Sequence, residues 1–379
     1  MSLVKYAGVS LIAMSASMGH AGGVEDAALS AGFMFEDGSY GSVSVKSQSP
    51  SVKATQGGAS VTTGSLVGSV TSTNIKAKMD VLDNMSVGIT YYRQAGIKLD
   101  YQGNWTGAPA AAILPKVDLD ITALAVLLKY DFNENVSVLG GLKNGTASDA
   151  TVSIPANSVT AASTGKSALS YIAGAAYEIP EIALRAELMY ETSAAYSLPT
   201  AFSDYRPLGG AFPGDPAGKL NASTPDYINI YVQSGIAEDT LAYASARQAN
   251  WKTNQVSMKH IGTRGNDDAQ ALGTPKDLSD FSDTTSYEIG LGRKFGTTWS
   301  SSISYNWEGG SGPTTTSTFT LSDGRQGISV GAKYNFSENT AITVGGNYTD
   351  FGKVTNTATN AVLSGNTATT LGVSLSTSF

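Results

Sequence analysis

The 379-residue chain contains no cysteine, and its two histidines are His20 and His260. The lack of thiols excludes disulfide bonds, thiolate nucleophiles and cysteine metal sites. Because His20 lies in the predicted leader described below, one histidine is left, and it cannot build a histidine-rich metal centre. Only 15% of residues are charged, and the net charge of -7 argues against a nucleic-acid partner. We therefore expect no metal and no other cofactor.

Long apolar runs are missing as well. Lys5 precedes an apolar stretch over residues 6–14, and small residues follow as far as Ala21. This pattern is typical of a secretory signal peptide over residues 1–21, with Gly22 as the mature start. No later stretch reaches the about 18 consecutive apolar residues that a membrane helix requires. Membrane residence would then have to come from strands.

Alternating residues take the place of apolar runs, most clearly at the end of the chain. Leu371, Val373, Leu375 and Phe379 share one face of a period-2 strand, and small polar residues share the other face. Such a strand is typical of an outer-membrane barrel, with lipid on one side and a polar lumen on the other. The terminal aromatic residue also resembles the signal read by the outer-membrane assembly machinery of Gram-negative bacteria. A soluble exported β-protein is the alternative.

Short turns alternate along the chain with long links rich in Gly, Pro, Ser, Thr and Asn. This sorting indicates periplasmic turns and extracellular loops. We predict an all-β fold, a transmembrane antiparallel β-barrel of about fourteen strands over residues 30–379, after a short N-terminal segment at residues 22–29. The first strand could instead be two short strands broken at Asp37-Gly38. The expected strands are 30–49, 65–82, 85–102, 117–132, 135–150, 165–178, 182–197, 224–236, 240–254, 284–296, 299–312, 325–336, 340–353 and 367–379.

The parity of the strands predicts which side chains face the lumen. A lipid-facing Arg247 would cost about 2–4 kcal/mol, so we expect Arg247 to point inward. Arg185 and Met189 are inward by the same alternation. The inward basic residues could steer an anionic headgroup or pair with inward glutamates. They are Lys76, Lys78, Lys143, Arg185, Arg247, Lys294 and Lys333.

Two long links have the composition of a binding surface. The link at 198–223 is unusually apolar and aromatic, and the link at 151–164 adds further apolar residues. Exposed apolar clusters often mark a ligand or partner site, although the first link could instead fold over the barrel mouth and bury its own aromatic residues. The candidate contacts are Phe202, Tyr205, Leu208, Phe212, Ile154 and Val159.

No catalytic motif accompanies the remaining histidine. His260 lies in a long link without a recognisable nucleophile motif, and we interpret it as a solvated loop histidine and not as a catalytic base. Asp267-Asp268 lacks the surrounding ligands that a Ca²⁺ loop would supply. We therefore expect no enzyme activity.

Several segments occur in an order that is informative as a set. They are Tyr177-Glu178-Ile179-Pro180-Glu181-Ile182-Ala183-Leu184-Arg185-Ala186, Gly235-Ile236-Ala237-Glu238-Asp239-Thr240-Leu241 running on to Arg247 and Trp251, Arg293-Lys294-Phe295 with Trp299-Ser300, Asp323-Gly324, and Gly345-Gly346-Asn347-Tyr348. This ordered set resembles the FadL/TodX family of outer-membrane fatty-acid and hydrocarbon transporters. The resemblance covers residues 30–379 and is firmest over residues 165–352.

The resemblance implies a fourteen-stranded barrel, in agreement with the independent strand count. It also implies capture of hydrophobic molecules in a groove between loops 151–164 and 198–223, followed by binding in the lumen. Release would be sideways, through a gap at an inward kink in the third strand, 85–102, where Gly88 and Gly96 could permit distortion. The resemblance also implies an N-terminal plug with an Asn-Pro-Ala motif before the first strand. That motif is absent here, and only Gly22 to Leu29 precede the expected first strand, so the plug is vestigial or another segment closes the lumen.

The function expected from these observations is passive outer-membrane transport of long-chain fatty acids or other hydrophobic small molecules. A general diffusion porin is the main alternative, and a hydrolase using His260 and a purely structural barrel or adhesin are the others. The expected partners are a hydrophobic ligand, outer-membrane lipid and lipopolysaccharide, and the assembly machinery. The expected location is the outer membrane of a Gram-negative cell, and the family's closed barrels suggest a monomer.

Overall fold

The computed structural model describes residues 24–56, 63–101, 115–154, 159–203, 217–260, 276–357 and 359–379. The predicted signal peptide at 1–21 and the pair Asp267-Asp268 lie outside these ranges. Within them, no helix combines the length and the apolar character needed to cross a membrane.

A closed antiparallel β-barrel of 14 strands forms the body of the protein, which confirms the predicted fold class. It closes where the first strand pairs with the last, from Tyr40 opposite Ser378 to Ser51 opposite Thr367. The strands are β1 (Tyr40–Ser51), β2 (Val70–Leu82), β3 (Met85–Asp100), β4 (Lys116–Asp131), β5 (Val136–Ala147), β6 (Lys166–Ile179), β7 (Leu184–Glu191), β8 (Tyr227–Ala237), β9 (Thr240–Ala249), β10 (Thr284–Phe295), β11 (Trp299–Glu308), β12 (Arg325–Asn335), β13 (Thr340–Phe351) and β14 (Asn366–Ser378).

The first strand departs from the sequence prediction. It begins at Tyr40 and not at residue 30, so the prediction of one kinked strand over 30–49 is wrong in its first part. Gly32–Phe35 forms a short 3₁₀ helix in which Phe33 and Met34 are buried. Consecutive apolar residues cannot place one face in lipid and the other in a polar lumen, so this segment does not continue β1. Phe33 and Met34 instead pack against strand residues inside the barrel. The chain then turns at Gly38, whose φ is +63°.

The outer face of the barrel is apolar, as the alternation predicts. Leu124, Leu188, Ile328 and Val330 are between 42% and 55% exposed, whereas the inward Leu127 is fully buried. Aromatic residues flank the short turns. The Tyr130 and Phe132 rings meet edge to face with centroids 5.1 Å apart, and Tyr334 and Phe336 repeat that arrangement at the same distance. This surface has the character of a lipid-facing band with an aromatic girdle.

The long links are more ordered than the sequence suggests. Much of links 151–164 and 198–223 consists of β-hairpins that extend the barrel sheet, because their residues alternate and find paired edges. The added strands are Ala150–Ile154, Val159–Ser163, Ala194–Ser203, Ala217–Thr224, Ser257–His260 and Lys276–Asp277. A second small sheet joins Ala54–Gln56, Thr314–Thr315, Val354–Asn356 and Ala361–Leu363. Short 3₁₀ turns lie at Pro180–Ile182 and Trp251–Thr253.

Two apolar clusters fill the interior of the described barrel. The upper cluster lies towards the long links and includes Ile97, Leu119 and Phe319. The lower cluster lies towards the short turns, where Phe33 and Met34 of the N-terminal segment pack against strand residues. The lumen is therefore a packed interior over much of its height.

Candidate ligand site

The hydrogen-bonded ladder between β2 and β3 is incomplete. It runs from Leu82 opposite Met85 to Ile75 opposite Tyr91. Beyond that point β2 pairs with β1, and β3 pairs with β4. We call this the β2–β3 seam. In the described residues, the upper half of β3 contacts the β2 side of the seam through one isolated bridge, between Val67 and Leu99.

A β-bulge at Gln94 turns the upper half of β3 away from β2. The register of β3 against β4 shifts between Arg93 and Ala95, which leaves Gln94 as the extra residue. A bulge bends its strand and exchanges the faces of the residues that follow. Accordingly, Thr90 and Tyr92 are buried before the bulge, whereas odd-numbered residues are buried after it, namely Ala95, Ile97 and Leu99.

The free edge of β3 is covered from inside by the N-terminal segment. The backbone N–H of Asp26 donates to the Gln94 carbonyl at 2.8 Å, and the N–H of Gly96 donates to the Val24 carbonyl at 2.8 Å. Glu25 lies opposite Ala95 in an antiparallel bridge. Residues 24–27 thus occupy the position that an added strand would take.

Buried ion pairs hold this segment in place. The Asp26 carboxylate lies 3.3 Å from Lys46 Nζ of β1 and 3.3 Å from Arg93 Nη1 of β3. Arg93 also binds Asp120 of β4. The side chain of Asp26 is only 2% exposed, so these cations compensate a charge that water hardly reaches.

A second ion pair ties the segment to the opposite wall. Arg247 of β9 binds Glu25 and the side-chain oxygen of Asn229. Its guanidinium lies 3.7 Å from the centroid of the Tyr227 ring. The prediction that Arg247 points into the lumen is confirmed.

The lower lumen is occupied by residues 33–38. Arg185 lies 4.5 Å from the centroid of the Phe35 ring, and Lys78 Nζ donates to the carbonyl oxygens of Glu36 and Gly38 at 2.8 and 2.9 Å. Burial raises the pKa of the Glu36 carboxyl, although Lys333 and Arg185 oppose that shift. Gly88 of β3 makes room for this segment, because a Cβ there would overlap Met34 and lie 2.7 Å from Phe33.

Above the ion pairs lies a small apolar cavity of about 10 Å³, room for about one water molecule. Val24 and Ile97 contribute to its wall, and the Val24 carbonyl accepts a backbone hydrogen bond from Gly96 at the edge of β3. The other lining residues are Val117, Leu119, Ile121, Val152, Leu220, Ala222, Ser223, Val256 and Phe319. Within the described residues, no cluster of His, Asp and Glu has the arrangement of a metal site.

The structure separates the predicted binding residues by depth. Arg247 lies midway along the lumen, whereas Arg185 and Met189 lie in its lower part, where Arg185 pairs with Glu187 at 2.6 Å. Gly88 and Gly96 lie on either side of the bulge in β3. These residues do not form one site, and their assignment to ligand binding or lateral opening stays a prediction.

The predicted loop contacts are only partly described. Ile154 pairs with Val159 within the first link, and Phe202 of the second link pairs through its backbone with Ala161 of the first, so the two links do come together. Tyr205, Leu208 and Phe212 lie outside the described residues. That the side chains of these two links form a ligand groove therefore stays a prediction.

Sequence reasoning missed Gln94 and the acidic pair Glu25-Asp26. The alternation of β3 does not reveal the bulge, because its apolar residues are odd-numbered on both sides of Gln94. Ile89 and Tyr91 face outward, whereas the odd-numbered Ala95, Ile97 and Leu99 lie inside. The exchange of faces that a bulge produces is therefore hidden by an alternation that continues unbroken. No local signal announces that Glu25 and Asp26 meet basic residues far along the chain.

Solved structures share this architecture. A Pseudomonas aeruginosa FadL homologue matches with a TM-score of 0.72 at 14% identity, over 92% of each chain. The toluene transporter TodX of P. putida matches with a TM-score of 0.67 at 12% identity, over 92% of each chain. The chain has the FadL-type barrel fold. The toluene transporter TbuX of Ralstonia pickettii shares that fold, with a TM-score of 0.63 at 9% identity over 91% of this chain and 90% of that one.

The predicted resemblance is confirmed by these FadL-type folds. No protein-family model matches the sequence, and no curated protein matches it. Since the identities are low, the likeness to the solved structures is one of fold.

Proposed function

We propose that this chain carries hydrophobic small molecules across the outer membrane of a Gram-negative cell without an energy source. The ligand enters between the extracellular hairpins, occupies the upper lumen and leaves sideways through the β2–β3 seam. The proposal is supported by the barrel fold, which the chain shares with two toluene transporters. Fatty acids and other hydrophobic compounds suit the same path.

The observation that carries this proposal is the broken ladder of the β2–β3 seam, which borders the apolar upper cluster. Val24 and Ile97 belong to that cluster, and the Val24 carbonyl accepts a hydrogen bond from Gly96 at the edge of β3. Hydrophobic transfer is favourable by about 25 cal/mol for each Å² of apolar surface removed from water. A ligand that moves from the apolar upper lumen directly into the bilayer never has to expose that surface to water.

The arrangement below the cavity disfavours an axial route. A ligand moving straight down would meet the ion pairs of Asp26 and Arg247, and then Phe33, Met34 and Phe35. Apolar ligands gain nothing from a charged layer, and the segment beneath it fills the lower lumen. A diffusion porin would instead need a continuous water-filled path, and residues 24–39 obstruct one.

Uptake and conductance measured together test the proposal. We expect cells that carry the full chain to accumulate radiolabelled butylbenzene faster than cells that lack it. We also expect the purified chain in a planar bilayer to show little ion conductance. Accumulation that is independent of the protein, together with a large stable conductance, would contradict the proposal and favour a porin.

A further inference from the structure

The N-terminal segment packs against one half of the barrel wall. Among the described residues, all the buried strand residues of the lower cluster come from β3 to β7, and they include Leu127, Leu139 and Ile172. The strands that run from β12 through β14 to β2 contribute no buried residue to that cluster. The two halves of the lower wall therefore differ, since one half is apolar and covered by residues 29–34 and the other is not.

The uncovered half presents small and polar side chains to the lumen. Two neighbouring rows of paired residues cross its strands. The upper row is Lys46, Gly372, Gly345 and Gly331, and the lower row is Ser44, Ser374, Thr343 and Lys333. Their sequence neighbours Val45, Val344 and Val373 are 41–49% exposed on the outer face, so the rows themselves face inward. Glycine and serine side chains are too short to fill the lumen beside them.

This half of the lumen is closed above and accessible below. Gln48, Thr370 and Asn347 form the next paired row towards the long links, and they are 1%, 0% and 3% exposed. Ser42 and Ser44, nearer to the short turns, are partly exposed although they face the interior. The accessible space therefore ends at the buried row and opens towards the short turns. We call it the lower vestibule.

Two lysines flank the lower vestibule without an ion pair. Lys333 belongs to the lower row on β12, and Lys76 of β2 lies opposite Ser42 on the other side. Within the described residues, neither lysine forms an ion pair or donates a hydrogen bond. Lys78, two residues further along β2, instead pairs with Asp80. The alternatives that the sequence left open for the inward basic residues are thus resolved differently at neighbouring positions.

One carboxyl group lies near both lysines. Burial raises the pKa of the Glu36 carboxyl, and the charges of Lys333 and Lys76 oppose that shift. Glu36 supplies at most one negative charge against two ammonium groups, so the lysines are only partly compensated. The N–H donors of both ammonium groups also have no acceptor among the described residues.

We propose that the lower vestibule binds a phosphate group between Lys76 and Lys333, carried by a soluble anion or by a lipid headgroup. Phosphate offers several acceptor oxygens and more than one negative charge, which suits two ammonium groups that approach from opposite sides. The wall hydroxyls of Ser42 and Ser44 can donate further hydrogen bonds. This site lies apart from the upper lumen and the β2–β3 seam, so it does not depend on the route of the hydrophobic ligand.

Cysteine accessibility tests the vestibule itself, because the chain has no cysteine of its own. Ser44→Cys and Gln48→Cys place a thiol on the same face of β1, in the vestibule and in the buried row above it. In the detergent-solubilised full chain, we expect an anionic methanethiosulfonate reagent to modify Ser44→Cys and to leave Gln48→Cys largely unmodified. Ser42→Cys provides a second thiol in the vestibule and should react like Ser44→Cys. Equal rates at the vestibule and buried positions would overturn the proposal.

The charge of the reagent tests the two lysines. After each rate is divided by the rate with glutathione, the anionic reagent should modify Ser44→Cys several-fold faster than a cationic reagent of similar size. Lys76→Met and Lys333→Met in the same background should abolish that preference. A preference for the cationic reagent in the unaltered lysine background would contradict a basic vestibule.

Protection of Ser44→Cys identifies the source of the phosphate group. Inorganic phosphate and dihexanoylphosphatidic acid are each compared with sodium chloride at the same ionic strength. Slower modification with inorganic phosphate assigns the site to a soluble anion, and slower modification with the lipid alone assigns it to a headgroup. Unchanged modification with both probes would overturn the proposal.

Binding by lysine variants completes the test. Binding of inorganic phosphate, or of dihexanoylphosphatidic acid if only that probe protects, is followed by phosphorus NMR on the purified full chain. Each single variant, Lys76→Met or Lys333→Met, should bind about tenfold more weakly, as the loss of one charge-assisted hydrogen bond suggests. Lys116→Met is the matched control, because it removes a cation whose side chain is 57% exposed and pairs with Asp100. That control should keep the affinity.

Undiminished binding by the double variant would overturn the phosphate site. This outcome is distinguishable from a failure of the transport proposal, since butylbenzene uptake is measured separately. Cells that carry the double variant should take up butylbenzene as cells with the unaltered chain do.

Discussion

Two seams of this barrel, with the β1–β2 ladder between them, differ sharply in their pairing. The seam between β1 and β14, which joins the two ends of the barrel, is paired along its whole length from Tyr40 to Ser51. The β2–β3 seam joins strands that are consecutive in sequence, yet its continuous pairing stops at Ile75 and Tyr91 and the two sides meet again only at the Val67–Leu99 bridge. Closure between distant parts of the chain is therefore complete, whereas a local hairpin is left half open.

The difference shows that β2 and β3 do not stay apart for lack of an ability to pair as a hairpin. A hairpin with a tight turn at Leu82–Met85 would ordinarily pair to the end, since each added pair satisfies backbone groups that have no water partner in lipid. At the β2–β3 seam, the bulge at Gln94 redirects β3, and residues 24–27 satisfy its edge from inside. An interruption that is compensated in this way is consistent with a functional opening.

Removing the bulge in β3 should have the largest effect on the difference between the two seams. Deletion of Gln94 should straighten β3 and let it pair with β2, which makes the β2–β3 seam resemble the β1–β14 seam. We expect butylbenzene uptake to fall to the level of cells without the protein, because the sideways route closes. The measurement is uptake by cells with matched amounts of barrel in the outer membrane.

Gln94→Ala is the control for this deletion, because it keeps the extra residue and hence the bulge. Its uptake should remain close to that of the unaltered chain. A folded deletion variant that transports at the normal rate would show that ligand does not use the seam.

Weakening the contacts that hold residues 24–27 against the edge of β3 should have the next largest effect. Arg93→Ala removes one partner of Asp26 and should cost up to about 3 kcal/mol, since truncating one side of a buried ion pair leaves a poorly compensated charge. We expect faster hydrogen exchange at residues 24–36 and a higher ion conductance.

Lys116→Ala serves as the comparison, because Lys116 and Asp100 pair at 3.0 Å with side chains 57% and 30% exposed. Exposed pairs contribute about 0–1 kcal/mol, so exchange at residues 24–36 should not change. Equal exchange in both variants would show that Arg93 does not hold the segment.

Crowding the lower lumen should have a moderate effect. A methyl group introduced by Gly88→Ala would overlap Met34 and press on Phe33, and overpacking of this kind costs about 1–3 kcal/mol. We expect a lower thermal unfolding midpoint. It is measured by heating samples to a series of temperatures and following the loss of the band of the compact folded barrel on a gel. Gly140→Ala should leave the midpoint unchanged, because no atom lies within 4 Å of its added Cβ. Equal midpoints for the two variants would contradict the packing of residues 33–34 against β3.

The smallest effect concerns pH. Because burial raises the pKa of Glu36, the folded state holds this proton more tightly than the unfolded chain does. The free energy of unfolding should therefore fall as the pH rises from the ordinary pKa range of a glutamate through the raised pKa of Glu36. Glu36→Gln should flatten that part of the profile, whereas Glu238→Gln, in an exposed turn, should keep it. Identical unfolding profiles for Glu36→Gln and the unaltered chain would contradict the burial of this carboxyl.

Much of the fold could be predicted because the outer face of a barrel repeats one simple rule. Residues such as Leu124 and Ile328 must be apolar, their neighbours in sequence point inward, and the count of such strands follows. Arg247 could be placed in the lumen by the same rule. The first strand was misjudged because Phe33-Met34-Phe35 is apolar for a different reason, namely packing inside the barrel.

The site was less predictable because it depends on contacts between distant residues. Glu25 and Arg247 are far apart in sequence, and nothing near either residue specifies the other. The bulge at Gln94 leaves the odd-numbered apolar alternation of β3 unbroken, and its consequence depends on what β2 does opposite it. Side-chain alternation determines the wall, whereas the interior is determined by tertiary contacts.

A reversible disulfide at the β2–β3 seam tests the central claim most directly, because the chain has no cysteine of its own. Glu25 and Ala95 face each other across the bridge, so Glu25→Cys with Ala95→Cys should fasten the N-terminal segment to the edge of β3. Val45→Cys with Thr73→Cys, in the fully paired β1–β2 ladder, is the control. The account predicts that butylbenzene uptake stops when the Glu25–Ala95 pair is oxidised and returns on reduction, with the control unaffected. Undiminished uptake through a fully oxidised Glu25–Ala95 pair would contradict it.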